Sequence, residues 1–194
     1  MFHPLFDHIH KYIPLDENEK QLITKKLKYL HLKKKEVVLA EGKVCQANYF
    51  IVKGCLRMCF FDDKGVEQTI QFAIENWWIS DYTSLENGKP SGFQIQAVEA
   101  SEVIAVEKAI QEGLFDEVPK LERYFRLMMQ RGYSASQMRK KYDYTLSREE
   151  QYYHFSAAFP QFVQRIPQYM LASYLGFTPE FLSKIRAKGT RKIS

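Results

Sequence analysis

Cysteine is scarce in this 194-residue chain. Cys45, Cys55 and Cys59 are an odd number without scaffold spacing, which excludes a disulfide framework and fits reduced thiols in a cytoplasm. An iron–sulfur centre needs four cysteine ligands at suitable spacing, and three scattered ones cannot supply them. No apolar run approaches the roughly 18 residues of a membrane span. The opening residues Met1 to Asp7 lack a basic flank and a long apolar stretch, so no signal peptide is expected. All five histidines (His3, His8, His10, His31, His154) lie outside the strand-like region Val37 to Val106. A metal-dependent oxidase built inside a barrel would therefore lack imidazole ligands. No glycine-rich phosphate loop and no nucleophile motif is present. Neither an enzyme nor a metal or cofactor is expected, and the compartment expected is cytoplasmic.

Core-forming material is ample. Hydrophobic residues make up 45% and charged ones 26% of the chain, ordinary for a folded globular protein. The net charge of +5 is unevenly spread. Residues 1–118 hold 14 Lys+Arg against 18 Asp+Glu, while residues 119–194 hold 14 against 5. An acidic front and a basic back imply two jobs, with a polyanion as the partner of the back.

The opening 35 residues read as short helices, one beginning at Leu15-Asp16-Glu17 with Leu22, Ile23, Leu27 and Leu30 at helical spacing. Lys33-Lys34-Lys35 reads as a solvated strand entrance. From Val37 to Val106 the pattern becomes short strands broken at Gly42, Gly54 and Gly65: Val37–Ala40, Tyr49–Val52, Cys55–Phe61, Glu67–Ile74, Phe93–Ala97 and Val103–Val106. This spacing predicts an antiparallel sandwich or jelly roll. Beyond Val118 the chain is helical. Leu121, Phe125, Met128, Gly132 and Ala135 alternate at four and three, a heptad seam whose small residues admit a second helix. A seam this narrow could also pack on its own barrel, but its flanking Arg123, Arg126, Gln130 and Arg131 favour a subunit interface. Ser147-Arg148-Glu149-Glu150 resembles a capping box that opens another helix.

The most informative stretch runs from Arg165 to Lys188. Pro167 fits the first turn of a helix whose inner face is Leu171, Ala172 and Leu175. Gly176 supplies the positive φ of a tight turn. Thr178-Pro179 then restarts the chain as N-cap and first helical residue. Leu182 and Ile185 point inward, leaving Glu180, Ser183, Lys184 and Ala187 on one exposed face. This is a helix-turn-helix pattern, in which the second helix enters the major groove. Lys184 can donate to guanine, Glu180 can accept from cytosine, and Ser183 can serve a base or a phosphate. Arg165, Arg186, Lys188, Arg191 and Lys192 are placed to neutralise phosphates. The competing reading is a protein-interaction module that binds no DNA and has a structural helical tail.

The order of short helices, small β-roll, long helix and helix-turn-helix resembles the Crp/Fnr group (cyclic-AMP receptor protein and Fnr) of bacterial transcription regulators. The resemblance rests on Glu41-Gly42, on the run Tyr49 to Arg57, and on Gln168 to Gly176 with its following helix. It implies an α+β chain with three parts: a cyclic-nucleotide-binding-like roll (1–118), a dimerisation helix and hinge (119–145), and a helix-turn-helix domain (146–194). It also implies a homodimer on palindromic promoter DNA, with RNA polymerase a further expected partner. Gln168, Tyr169, Thr178, Pro179, Glu180 and Lys184 join the expected DNA contacts, and Pro179 departs from the arginine common at its position. Only six residues follow Lys188, so the wing usual in the family is expected to be vestigial or replaced.

In nucleotide-binding relatives a Gly-Glu pair and a downstream arginine hold the ribose and cyclic phosphate. Here Ser80-Asp81 stands in for the pair, and Ser91 lies near the expected arginine. A buried phosphate would then lack its bidentate cationic partner. Cyclic AMP is therefore not the expected effector. An unidentified one is expected instead in a pocket lined by Phe72, Trp77, Trp78, Ser80, Asp81, Tyr82 and Ser91.

Overall fold

The structure is a computed structural model that describes the backbone of residues 1–191 and the side chains of residues 1–188. The chain divides into two compact units: residues 1–60 with 71–130, and residues 61–70 with 131 onward. The cut differs from the expected boundaries at 118 and 145. It falls inside the long helix, and it assigns the turn of one β-hairpin to the helical unit.

The first unit opens with helices α1 (His3–His10) and α2 (Glu17–Lys26). Asp16 starts α2 through a reciprocal capping box with Glu19. Eight strands follow: β1 (Lys28–Leu32), β2 (Val37–Leu39), β3 (Ala47–Lys53), β4 (Leu56–Phe61), β5 (Glu67–Ala73), β6 (Trp78–Ile79), β7 (Gln94–Ala97) and β8 (Ser101–Glu107). They form two four-stranded sheets, in the orders β1-β8-β3-β6 and β2-β7-β4-β5. The expected jelly roll is present, with a short helix α3 (Tyr82–Asn87) between β6 and β7.

Two elements differ from the expected pattern. Leu27 and Leu30 do not extend the helix, because α2 stops at Lys26 and the chain pairs as β1 with β8, Lys28 opposite Ala105 through Leu32 opposite Ser101. Leucines three apart fit a helix or a strand, and here a long-range partner decides. His31 is thus a strand residue, though an exposed one. A helix α4 (Lys108–Glu117) also occupies the interval between the last strand and Val118.

The core joins β3 and β8 to the helices. Phe50 and Ile104 from the sheet meet Leu5, Ile9 and Ile13, together with Leu114, Leu121 and Tyr124. Tyr124 is fully buried, and its hydroxyl accepts from Trp78 Nε1 at 2.9 Å and pairs with His8 Nδ1 at 2.7 Å. These bonds satisfy three polar groups that would each be costly if left alone in an apolar core. Cys45, Cys55 and Cys59 are all buried free thiols.

The second unit takes the later part of α5 (Lys120–Thr145), then α6 (Arg148–Ala158), α7 (Pro160–Arg165), α8 (Gln168–Tyr174) and α9 (Pro179–Arg191). Ser147 and Glu150 form the expected capping box of α6. Pro160 separates α6 from α7, since proline can open a helix but cannot continue one. The core of this unit is Tyr152, Phe162, Ile166, Met170, Leu171, Ala172, Phe177, Leu182 and Ile185.

Candidate nucleic-acid interface

The turn between α8 and α9 is built as its residues dictate. Gly176 has φ +69°. Phe177 N–H donates to Ala172 O at 2.8 Å and Gly176 N–H to Ser173 O at 3.0 Å, the paired bonds of a Schellman motif. Two residues later Thr178 Oγ1 accepts from Phe181 N–H at 3.2 Å and caps α9. Phe177 is buried, so the turn is anchored rather than loose.

The turn fixes which side of α9 faces outward. Leu182 and Ile185 are 0% and 2% exposed, while Glu180, Ser183, Lys184 and Ala187 are all exposed. The expected reading face is therefore bared as one surface. Thr178, Pro179, Gln168 and Tyr169 are exposed as well. Arg165 and Arg186 are half-buried, and Lys188 lies 3.8 Å from Glu149. The side chain of Arg191, the whole of Lys192 and any wing lie outside the described residues. The Glu180 backbone N–H, then the Thr178 hydroxyl, hold the Glu180 carboxyl below the usual range, with a smaller contribution from Lys184. Glu180 is thus an acceptor at neutral pH.

Three features of this surface had escaped the sequence. Phe181 is 37% exposed beside Glu180, with its ring edge-on to Phe177 at 5.4 Å. Tyr153 braces α9 from below, its hydroxyl donating to Ile185 O at 3.4 Å. Arg139 of α5 donates to Tyr174 O at 2.6 Å and lies 3.8 Å over the Tyr174 ring. Arg139 opens the basic run Arg139-Lys140-Lys141, and nothing local in the sequence marks it out.

The seam on α5 needs one correction. Leu121 is only 2% exposed and packs into its own core, so it is not free for a partner. Phe125 and Met128 are half-buried against the same core, and only Gly132 and Ala135 are open. The first half of the seam packs on the chain's own core, and the second half is exposed.

The seven residues expected to line an effector pocket have unlike surroundings. Phe72 is buried, Trp77 is 41% exposed, and the Trp78 ring packs on Phe50 and Phe125 at 5.2 and 5.1 Å. Ser80 Oγ donates to Ala47 O at 3.0 Å, and Tyr82 reaches Asn48 Oδ1 at 3.4 Å. Two cavities of this unit are lined by other residues. One of about 450 Å³ lies around Val44, Cys45 and Leu85; the other, of about 900 Å³, lies between α1 and α2. Of the four rings, Phe72 and Trp78 pack inward, while Trp77 and Tyr82 are exposed.

Asp81 and Ser91 do come together. Asp81 is 5% exposed; its Oδ1 accepts from Thr83 N–H at 3.0 Å and Ser84 N–H at 3.1 Å, capping α3. Its Oδ2 accepts from Ser91 Oγ at 2.6 Å. The two amides that could greet an anion are already taken by the chain's own carboxylate. Among the described residues no three His, Cys, Asp or Glu side chains cluster to hold a metal ion, and no helix is long and apolar enough to cross a membrane.

The chain thus joins an antiparallel roll with a short helix before β7 to a long helix and a helix-turn-helix. Residues 29–117 match the cyclic nucleotide-binding domain family. No curated protein matches the chain in sequence. Its fold is that of the Crp/Fnr transcription regulators. It resembles the c-di-GMP responsive global regulator CLP of Xanthomonas campestris at TM-score 0.73 and 10% identity, covering 91% of this chain and 93% of that one. A Crp/Fnr-family regulator of Eubacterium rectale gives 0.72 at 17%, covering 94% and 88%. The Thermus thermophilus catabolite activator protein gives 0.57 at 17%, covering 95% and 87%. At these identities the likeness is one of fold.

Proposed function

We propose that the chain is a DNA-binding transcription regulator, working as a homodimer on a palindromic operator and without catalytic activity. The observation that carries this reading is the exposed Glu180–Ser183–Lys184–Ala187 face of α9, backed by buried Leu182 and Ile185 and set by the Gly176 turn. Such a face offers donors and acceptors to base edges, and the basic excess of residues 119–194 supplies the phosphate attraction. A second copy meets the first along the open half of α5, at Gly132 and Ala135. RNA polymerase is a further partner of the bound dimer.

The effector is not cyclic AMP. A cyclic phosphate would have to displace Asp81 from two amides and Ser91, and would meet a carboxylate rather than a guanidinium. Isothermal titration should show no micromolar binding of cyclic AMP.

The direct test is selection of duplexes from a random pool, followed by affinity measurement across salt. Groove binding should weaken log-linearly, with a slope of about −0.9 per phosphate neutralised. Lys184→Ala should relax selectivity at its base, whereas Arg191→Ala should weaken all sequences alike. Failure of wild-type protein to retain any duplex in dilute salt would overturn the reading in favour of a protein-binding tail.

A further inference from the structure

From Met129 to Lys141 every residue of α5 is exposed except Arg139. Arg139 is half-buried while Tyr133 and Met138 remain 69% and 41% exposed. Burial in that order runs against hydrophobicity and calls for specific partners. One Arg139 nitrogen donates to Ile70 O at 2.7 Å, the other to Tyr174 O at 2.6 Å, and the group stacks on the Tyr174 ring. Tyr174 ends α8, so its carbonyl is one that a helix terminus leaves without an internal partner.

Ser173 makes a second tie to the same hairpin. Its Oγ accepts from Thr69 N–H at 2.9 Å and donates to Glu67 O at 3.1 Å. β5 is the end strand of its sheet, and residues 67 and 69 share one side of it. Backbone groups on such an edge are open for pairing, and here a helix hydroxyl takes them. The hairpin turn, residues 61–70, thereby belongs to the helical unit.

Resting on the DNA-binding reading above, we propose that Arg139 and Ser173 are positioning residues for DNA recognition. Together they clip the hairpin to the last turn of α8. Only residues 175–177 separate that turn from Thr178, the cap of α9, so the clip sets the angle at which α9 leaves its support. The reading face of α9 is open while the clip is closed, so the closed clip is the competent arrangement.

Linkage then demands reciprocity. If the closed clip favours DNA, bound DNA must favour the closed clip by the same factor. The amide of Thr69 reports on this directly, because it is bonded to Ser173 and carries no role in reading bases. Hydrogen exchange of full-length wild-type protein should be followed with and without the tightest duplex recovered from a random pool. Thr69 exchange should slow about tenfold on saturation, a typical coupling. Arg139→Ala should weaken the same duplex about tenfold, and Ser173→Ala by less, both with unchanged base selectivity. Arg139→Lys, which keeps the charge but not the fork, should restore part of the loss. Exchange at Thr69 that is unchanged or faster with DNA bound, or variants that bind as wild type does, would overturn the clip alone. If Arg139→Ala fails to fold, the wild-type exchange decides. If wild-type protein retains no duplex, the DNA reading itself falls and the clip with it.

Discussion

Thr69 is 3% exposed, and its hydroxyl has no protein hydrogen-bond partner. A buried hydroxyl left alone costs about 1–3 kcal/mol, whereas its removal leaves the backbone bond to Ser173 intact. Thr69→Val should raise stability by about 1 kcal/mol in urea denaturation. Gly54 works in the other direction. Its φ is +100°, and an added Cβ would lie 2.3 Å from Ser101 Oγ. Gly54→Ala should cost at least about 2 kcal/mol, read as a fall in melting temperature. Single residues were legible wherever their own chemistry fixes the backbone, as at Gly176 and Thr178. Asp81 and Ser91 stand ten residues apart in one segment and were grouped from the sequence, whereas Arg139 with Ile70 was hidden because distant chain segments make that pair. No periodicity records such a meeting.

Among the elements, α6 was legible from a local start signal, whereas β1 was decided by a distant partner. Ser147 and Glu150 announce α6, and the structure closes both bonds of their box. The Ser147 hydroxyl, then its backbone N–H, hold the Glu150 carboxyl below its usual range. A depressed carboxyl contributes stability that is fully present above the unfolded value, about 4.3, and is lost as pH falls through the lower folded value. Glu150→Gln keeps the reach back to Ser147 without the titration. Acid melts of the two proteins should therefore diverge below about pH 4, with the variant's curve the flatter. β1 shows the opposite case: Leu27 and Leu30 look helical until β8 provides an edge for pairing. β6 has two residues, too few for any alternation to be seen.

For the whole molecule, association is the property most open to test. A Cβ built at Gly132 meets nothing within 4 Å in the single chain, and a glycine in an exposed helix costs up to about 1 kcal/mol relative to alanine. Gly132→Leu should therefore leave the thermal stability of the separated chain unharmed or improved, yet drive the sedimenting species from dimer to monomer. A variant that stays dimeric would remove α5 from the subunit contact. The roll, the reading helix and the charge division were visible in the sequence because each repeats a pattern over many residues. The division at residue 130 and the adoption of residues 61–70 by the helical unit were not, since both depend on which surfaces meet.

Asp81 gives the roll a built-in occupant. A carboxylate tethered by the main chain meets the Thr83 and Ser84 amides at an effective concentration on the order of millimolar or more, so a free anion must outcompete it there. A ligand screen on this roll should therefore place neutral and cationic compounds beside nucleotides, because an anion at those amides has first to break the Asp81 cap.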